Sequence, residues 1–314
     1  MPEFTFNAGA SGFAKPVAGC VASIGSFDGV HLGHRALIEK VIARARARGL
    51  PAVAVIFEPQ PPEYFSPNTA PARLLGLRDK VFALKALGID KVLCLRFNSA
   101  LRNLTAEEFV RKVLVEWLDV RHLEVGDDFR FGRDRTGDYA FLTRAAITYG
   151  FTLANSPTLV RLGERVSSTR IRALLIQGEL AAAAELLGQP YSISGRVGYG
   201  RALARSLGFP TANVHIGHHR RALAGVYAVE VEGPFGCLPG VANIGVKPTI
   251  GDHLKPSLEV FILQGHYALY GCRLRVRFLR WIREEQKFPS IEALKHQIQK
   301  DVTTAEDFFK TLRR

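Results

Sequence analysis

The sequence predicts two domains of different class: an α/β domain on a parallel sheet, then an antiparallel β-sheet or barrel ending in a helix. Three observations carry this. The chain has 314 residues, and at roughly 100 to 200 residues per domain that is about two domains, each able to bury a core. Up to about residue 188, short β-rich runs alternate with helical patterns, as in βαβ units. Beyond Pro190 the texture becomes short strands punctuated by Gly and Pro, with apolar residues at every second position.

In the first part, Val21 to Phe27, Ala52 to Phe57, Lys91 to Phe97 and His122 to Val125 read as strands. After Gly33, the i, i+4 spacing of Leu37, Val41 and Ala45, with Ile38 and Ile42, predicts a crossover helix with one buried face. Thr105 and Glu108 form a capping box ahead of Phe109, Val113, Leu114 and Trp117, which start a second. Two further helices are expected at Arg170 to Gln177 and Glu179 to Leu187, the latter stopped by Gly188 and Pro190. In the second part, Tyr227, Val229 and Val231 alternate, as do Leu274, Val276 and Phe278 with Arg273, Arg275 and Arg277. Ile291, Leu294 and Ile298 return to helical spacing, and a separate last helix is expected at a Thr303/Glu306 cap. The expected domains are therefore 1–188 and 189–314.

A hydrophobic fraction of 47% and a charged fraction of 23% exclude a disordered chain. A net charge of +13 favours polyanionic ligands without choosing among nucleotides, nucleic acids and membranes. Cys20, Cys94, Cys237 and Cys272 lie too far apart for a zinc or redox motif. Val17-Ala18-Gly19-Cys20 looks like a lipoprotein cleavage site, but Lys15-Pro16 breaks the apolar stretch a signal needs. No apolar run approaches the ~18 residues of a membrane span, so a cytoplasmic protein without a membrane partner is expected.

Three segments of the first part carry chemistry. Gly25-Ser26-Phe27-Asp28-Gly29-Val30-His31-Leu32-Gly33-His34 leaves a strand through a glycine-rich turn into a helix. Free N–H groups at a helix start and absent Cβ atoms let phosphates approach, and two histidines can donate to an α-phosphate gaining charge. Gly33 would keep the space between the two rings open. Gly126-Asp127-Asp128-Phe129 follows a strand, at the end of a parallel sheet where ligands bind. Ser167-Ser168-Thr169-Arg170-Ile171-Arg172 opens a helix with hydroxyls, N–H groups and guanidinium groups. Each alone is also explained as a turn or a cap with solvated side chains.

Together, in order and spacing, these segments resemble the FMN adenylyltransferase module of prokaryotic bifunctional riboflavin kinase/FAD synthetases, over residues from about 18 to 188. Phe57-Glu58-Pro59-Gln60-Pro61 and Phe97-Asn98 extend the match. The resemblance implies a Rossmann-like α/β nucleotidyltransferase domain with His31 and His34 catalytic. It makes Gly25, Phe27, Asp28, Gly29, Gly33, Ser167, Ser168, Thr169 and Arg172 nucleotide-binding, and Phe57, Pro59, Asn98, Asp128 and Phe129 flavin-binding.

In the second part, Leu207-Gly208-Phe209-Pro210-Thr211-Ala212-Asn213 places a hydroxyl and an amide on one face of an extended chain, both hard oxygen ligands suited to Mg²⁺. With Gly225-Val226-Tyr227-Ala228, Ala242-Asn243-Ile244-Gly245 and Leu258-Glu259-Val260, this series resembles the riboflavin kinase module of the same family. The resemblance implies a Greek-key antiparallel β-barrel with a terminal helix, Glu259 as catalytic base, and Thr211 and Asn213 as Mg-ATP ligands. It implies ATP as co-substrate, riboflavin and FMN as substrates, and FMN and FAD as product ligands. The chain departs from the family at Arg201-Ala202-Leu203-Ala204-Arg205, where a glycine flap is usual, and Arg201 and Arg205 are expected to supply charge there. A monomer or weak oligomer is expected. One competing reading is a nucleic-acid binder using the basic strand with Phe278 and Trp281; another is a different His-x-Gly-His nucleotidyltransferase, such as one acting on a pantetheine or glycerol phosphate. The flavin-type segments favour small-molecule substrates, with no nucleic-acid partner expected.

Overall fold

The computed structural model describes residues 5–7, 16–199, 208–248, 254–265 and 267–312. Its chain divides into two compact units, Met1–Pro71 with Leu77–Ser167, and Ala72–Gly76 with Ser168–Arg314.

The first unit is built on a six-stranded sheet in the order β1-β4-β3-β2-β5-β6: Thr5–Asn7 (β1), Cys20–Ile24 (β2), Ala52–Glu58 (β3), Lys91–Arg96 (β4), Val120–Gly126 (β5) and Thr152–Ser156 (β6). Every pairing is parallel. A parallel sheet must be covered on both faces, which is why β2, apart from Ser23, and most of β3 are apolar and fully buried. Helix α1 (Leu32–Ala47) packs on β2, β3 and β5 through Ile38, Val41 and Ala45. The opposite face buries Ala22, Val53, Leu93 and Leu123 with Phe109, Val113, Leu114, Leu142 and Ala146. The Thr105/Glu108 capping box forms, and the helix it starts changes from α at Ala106–Phe109 to a wider π turn at Val110–Trp117.

The chain runs from β2 outward through β3 to β4, then returns to the other side of β2 for β5 and β6. The order of strands therefore reverses between β2 and β5. At such a switch point the crossovers leave in opposite directions and open a crevice at the carboxyl ends of the strands. The turn after β2 and the Gly126–Phe129 segment after β5 both lie at that crevice edge.

Cys20 opens β2, and its thiol is fully buried. Burial pushes its pKa up to about 12, so it behaves as an inert core residue.

In the second unit, α7 (Ser168–Ile176) and α8 (Leu180–Leu187) pack on each other, and α8 stops at Gly188 in a left-handed conformation. Six strands then close an antiparallel barrel in the order β10-β13-β12-β11-β14-β9: Ser192–Gly198 (β9), Thr211–His215 (β10), Gly225–Gly233 (β11), Gly236–Pro248 (β12), Leu254–Ile262 (β13) and Arg273–Arg283 (β14). Three consecutive strands, β11 to β13, form a meander and β10 returns beside β13, which is a Greek key. Tyr227, Val229, Val231, Leu274, Val276 and Phe278 fill the interior, as their period-two alternation predicts. Phe278 is thus a core residue and offers no platform for a base. Trp281 is half exposed.

The terminal helix differs from expectation. One continuous helix, Ile291–Leu312, replaces two, with Ser290 Oγ accepting from the Ala293 N–H at its start. Thr303 lies inside it and donates back to the Gln299 carbonyl at 3.0 Å. A Ser/Thr side chain satisfied one turn back does not free its backbone to begin a new helix. Val302 and Ala305 bury against Phe209, Val226, Ala228 and Val241, so this helix covers one outer face of the barrel.

Candidate active sites

At the carboxyl end of β2 the chain turns under strain. Phe27 and Val30 both hold positive φ, +44° and +43°, beside Gly29 at +88°. A β-branched residue in the left-handed region is a backbone outlier that persists only where packing over-determines it. Here Phe27, Asp28 and Val30 are all buried. Val30 further anchors the turn by accepting from Arg35 Nε at 3.2 Å.

The turn delivers His31 as the N-cap of α1. Its Nδ1 accepts the backbone N–H of His34 at 3.3 Å. An imidazole whose Nδ1 accepts carries its proton on Nε2, so the cap fixes the tautomer and leaves Nε2–H as the donor. The His34 ring stacks on that of His31 at a centroid distance of 3.6 Å and meets Phe27 edge-on. Burial, then the neighbouring His31 and Lys80, holds the His34 pKa well below the usual histidine value. His34 is neutral at pH 7, and its buried Nδ1 has no hydrogen-bond partner among the described residues.

The stacking corrects one expectation. Gly33 does not keep the two rings apart; a Cβ on it would sit 3.3 Å from the His31 ring and 3.6 Å from the Val166 carbonyl. What the glycine leaves room for is the His31 ring itself.

The other segments of the first unit line the same strand ends. Phe57 closes β3 and packs edge-on with Phe97, which also meets Tyr64 and Phe65. Pro59 follows a cis peptide bond after Glu58. Asn98 Oδ1 accepts the Leu101 N–H at 3.0 Å, capping the short helix α4 (Ser99–Arg102). Phe129 stacks on Phe131 at 5.5 Å. Asp128 accepts from Arg165 at 2.6 Å, and Asp127 from the Thr158 hydroxyl at 2.7 Å. Arg165 thus ties the Asp127–Asp128 segment to the stretch leading into Ser167. Sequence reasoning passed over Arg165, although it stands two residues before that motif.

The Ser167-to-Arg172 motif spans the division of the chain: Ser167 ends the first unit, and Ser168, Thr169 and Arg172 belong to the first turns of α7 in the second. Arg172 Nε donates to the Ala72 carbonyl at 2.5 Å.

The second unit holds a cavity of about 350 Å³ between the outer face of the barrel and the terminal helix. Strand register assembles its polar wall. Asn213 of β10 and Asn243 of β12 lie directly opposite Glu259 of β13 on either side, and Thr211 pairs with Phe261 one step along. Ala212, Val214, Leu258 and Val260 alternate into the barrel, so Thr211, Asn213, Asn243 and Glu259 face outward into the cavity. The apolar wall comes from Phe209, Val226, Phe261, Phe288, Leu294 and Ile298. A register shift between β11 and β14 leaves Ile282 unpaired and bends the end of β14. The segment that follows brings Glu285, Gln286 and Phe288 to the rim. Asp301 of the terminal helix accepts from Arg283 Nε at 2.9 and 3.1 Å and from its Nη2 at 2.7 Å, and from Gln297 Nε2 at 2.9 Å.

The donor set suits a hard divalent cation. Thr211 and Asn213 offer neutral oxygens on one face beside the Glu259 carboxylate. Arg201 and Arg205 lie outside the described residues.

Residues 14–170 match the FAD synthetase family and residues 187–309 the riboflavin kinase family. A bifunctional riboflavin kinase/FMN adenylyltransferase of Pseudomonas fluorescens is 51% identical over 91% of this chain and 92% of its own length. The protein of the same name from Escherichia coli K12 is 47% identical over 94% of each chain. The chain belongs to the bifunctional riboflavin kinase/FMN adenylyltransferase family. A solved structure from Streptococcus pneumoniae, described as a macrolide-efflux protein, superposes with a TM-score of 0.80 at 27% identity over 96% of this chain and 98% of its own. In this chain the α/β unit stands N-terminal, over the FAD synthetase match, and the barrel C-terminal, over the riboflavin kinase match. No helix among the described residues is long and apolar enough to cross a membrane.

Proposed function

We propose that this flavin-synthesising enzyme divides two ATP reactions between residues 1–188 and 189–314, breaking the β–γ link in the barrel and the α–β link at the α/β sheet. The observation that carries this reading is a cavity in which strand register gathers Thr211, Asn213 and Glu259 beside an apolar wall. An aromatic ring system fits that wall, and an alcohol presented to Glu259 can lose its proton.

In the kinase step, Glu259 takes the proton of the ribityl 5′-hydroxyl as the oxygen attacks the γ-phosphorus of ATP. ADP leaves and FMN remains. General-base assistance of this kind is worth about 10²- to 10⁴-fold. Thr211 Oγ and Asn213 Oδ1 would hold Mg²⁺, which when bound neutralises charge on the phosphates.

In the adenylyl step, the FMN phosphate is already an anion and attacks the α-phosphorus without a base, releasing pyrophosphate and giving FAD. Its needs are position and charge stabilisation. His31 donates from Nε2 to the α-phosphate with His34 stacked behind it. Gly25, Phe27, Asp28, Gly29 and Gly33 shape the turn, and Ser167, Ser168, Thr169 and Arg172 hold the phosphates at the start of α7. Phe57, Pro59, Asn98, Asp128 and Phe129 receive the flavin. The reading places the enzyme in the cytoplasm, as a monomer or weak oligomer.

Purified protein with riboflavin and Mg-ATP should yield FMN carrying label from γ-labelled ATP, then FAD carrying label from α-labelled ATP. Failure to form either product beside active controls would overturn the proposal.

A further inference from the structure

Besides Glu259 and Asp301, which is paired with Arg283, the kinase cavity contains a third carboxylate that the proposed chemistry does not use. Glu285, on the segment after β14, accepts from Asn243 Nδ2 at 3.2 Å. It does so through the space above Gly245, where a Cβ would lie 2.0 Å from either carboxylate oxygen. The absent side chain is thus what lets Glu285 reach Asn243. Asn243 is the direct cross-strand partner of Glu259.

An amide whose nitrogen is fixed by a carboxylate has its oxygen fixed too. With Nδ2 turned to Glu285, Asn243 Oδ1 points the other way, buried and without a partner among the described residues. A buried amide oxygen left unsatisfied is unfavourable by a sizeable margin, so such an atom marks where a ligand donor belongs. The wall therefore presents acceptors in a row: the Glu285 carboxylate, Asn243 Oδ1 and the Glu259 carboxylate. A row of acceptors suits a row of hydroxyl donors. Riboflavin joins an apolar ring to a five-carbon polyol, and the cavity has an apolar wall for the one and this row for the other.

We infer that Glu285 and Asn243 form a polyol-reading pair that engages the secondary hydroxyls of the ribityl chain and so positions the terminal hydroxyl at Glu259. The inference rests on the kinase reading above. Glu285 acts as a positioning and specificity residue, distinct from the base.

Two variants test it. Glu285→Gln keeps the size and removes the charge. Gly245→Ala puts a methyl group where the carboxylate lies, and because Glu285 is an exposed, flexible side chain it can swing away without disturbing the barrel. Each variant should raise the KM for riboflavin roughly tenfold, the scale of one charge-assisted hydrogen bond. Both kcat and the KM for ATP should stay within about threefold. The deciding substrate is a flavin whose side chain is an unbranched hydroxypentyl group, with the terminal hydroxyl alone. On it, wild type and both variants should have the same kcat/KM, because there are no secondary hydroxyls to read. An equal loss on riboflavin and on this analogue overturns the inference, as does a collapse of kcat with a changed pH profile, which would make Glu285 a base. If the wild-type protein phosphorylates neither flavin, the kinase reading falls first, so the two failures are separable.

Discussion

Replacing His31 by alanine removes the helix cap that the structure shows and the phosphate donor proposed above, and the sizes of the two effects differ enough to be measured apart. Nδ1 caps α1 through a long, 3.3 Å contact, which puts its loss at the low end of the N-cap range, about 0.5 to 1 kcal/mol. For a unit of this size that lowers Tm by about 1 to 4 °C and leaves the protein folded at 25 °C. On the proposed mechanism Nε2–H donates to the α-phosphate, and loss of one transition-state donor is worth about 10²- to 10³-fold, or about 2.7 to 4 kcal/mol. FAD formation from supplied FMN and ATP should therefore fall at least a hundredfold while FMN formation from riboflavin, assayed on the same preparation, is unchanged. His31→Asn separates the two contributions further. Asparagine is among the best N-caps, so Tm should recover, but its shorter amide cannot reach where Nε2 stood and adenylylation should stay low. A loss of less than about tenfold in His31→Ala, a parallel fall in kinase rate, or full rescue by His31→Asn would refute the assignment.

Two further outcomes follow from buried charges. The depressed pKa of His34 means that the unfolded chain takes up a proton below pH ~6.5 that the folded chain does not. Stability should be complete above that value and decline by up to about 1.4 kcal/mol per pH unit beneath it, and flat urea midpoints between pH 7.5 and 5.5 would contradict this. Glu124 continues the trend below its ordinary range: burial opposes its ionisation, but hydrogen bonds from His122 and Ser156 and the charge of Arg44 outweigh that and hold its pKa down. Asp301→Ala would strand the Arg283 guanidinium, 19% exposed in its side chain, at about 3 kcal/mol of destabilisation. Calorimetry should show the lower-melting transition in the kinase half, with FAD formation from FMN retained at 25 °C, and an unchanged melting profile would mean the pair is energetically neutral.

Much of the architecture was legible because it depends on local rules. The Thr105/Glu108 capping box and the Gly188 stop are short-range hydrogen-bond and backbone effects, and both stand in the structure as written. Alternation in β11 and β14 was equally readable, since side chains two apart on a strand must share a face. The single terminal helix was misread as two because Thr303 carries a capping signature but lies exposed inside a helix held to the barrel by Val302 and Ala305, its hydroxyl satisfied by the Gln299 carbonyl. Strand β6 escaped notice because its five residues include only one position fully buried, leaving little apolar pattern.

By itself the sequence determined the two classes of domain, the glycine-rich turn leading to His31 and His34, and the Thr211/Asn213 pair on one strand face, since each is a matter of residues within a few positions of one another. Only the tertiary structure decided what those residues meet. That the two imidazoles stack, fixing one tautomer and neutralising the other ring, depends on a helix cap and on burial that spacing does not encode. That Asn213, Glu259, Asn243 and Glu285 form one wall depends on barrel register and on a bulge in β14, which bring together positions up to 72 residues apart. Local sequence sets conformation through steric and hydrogen-bond preferences that reach a few residues. The electrostatics of a site arise from neighbours across strands, and closing the sheet is what supplies them.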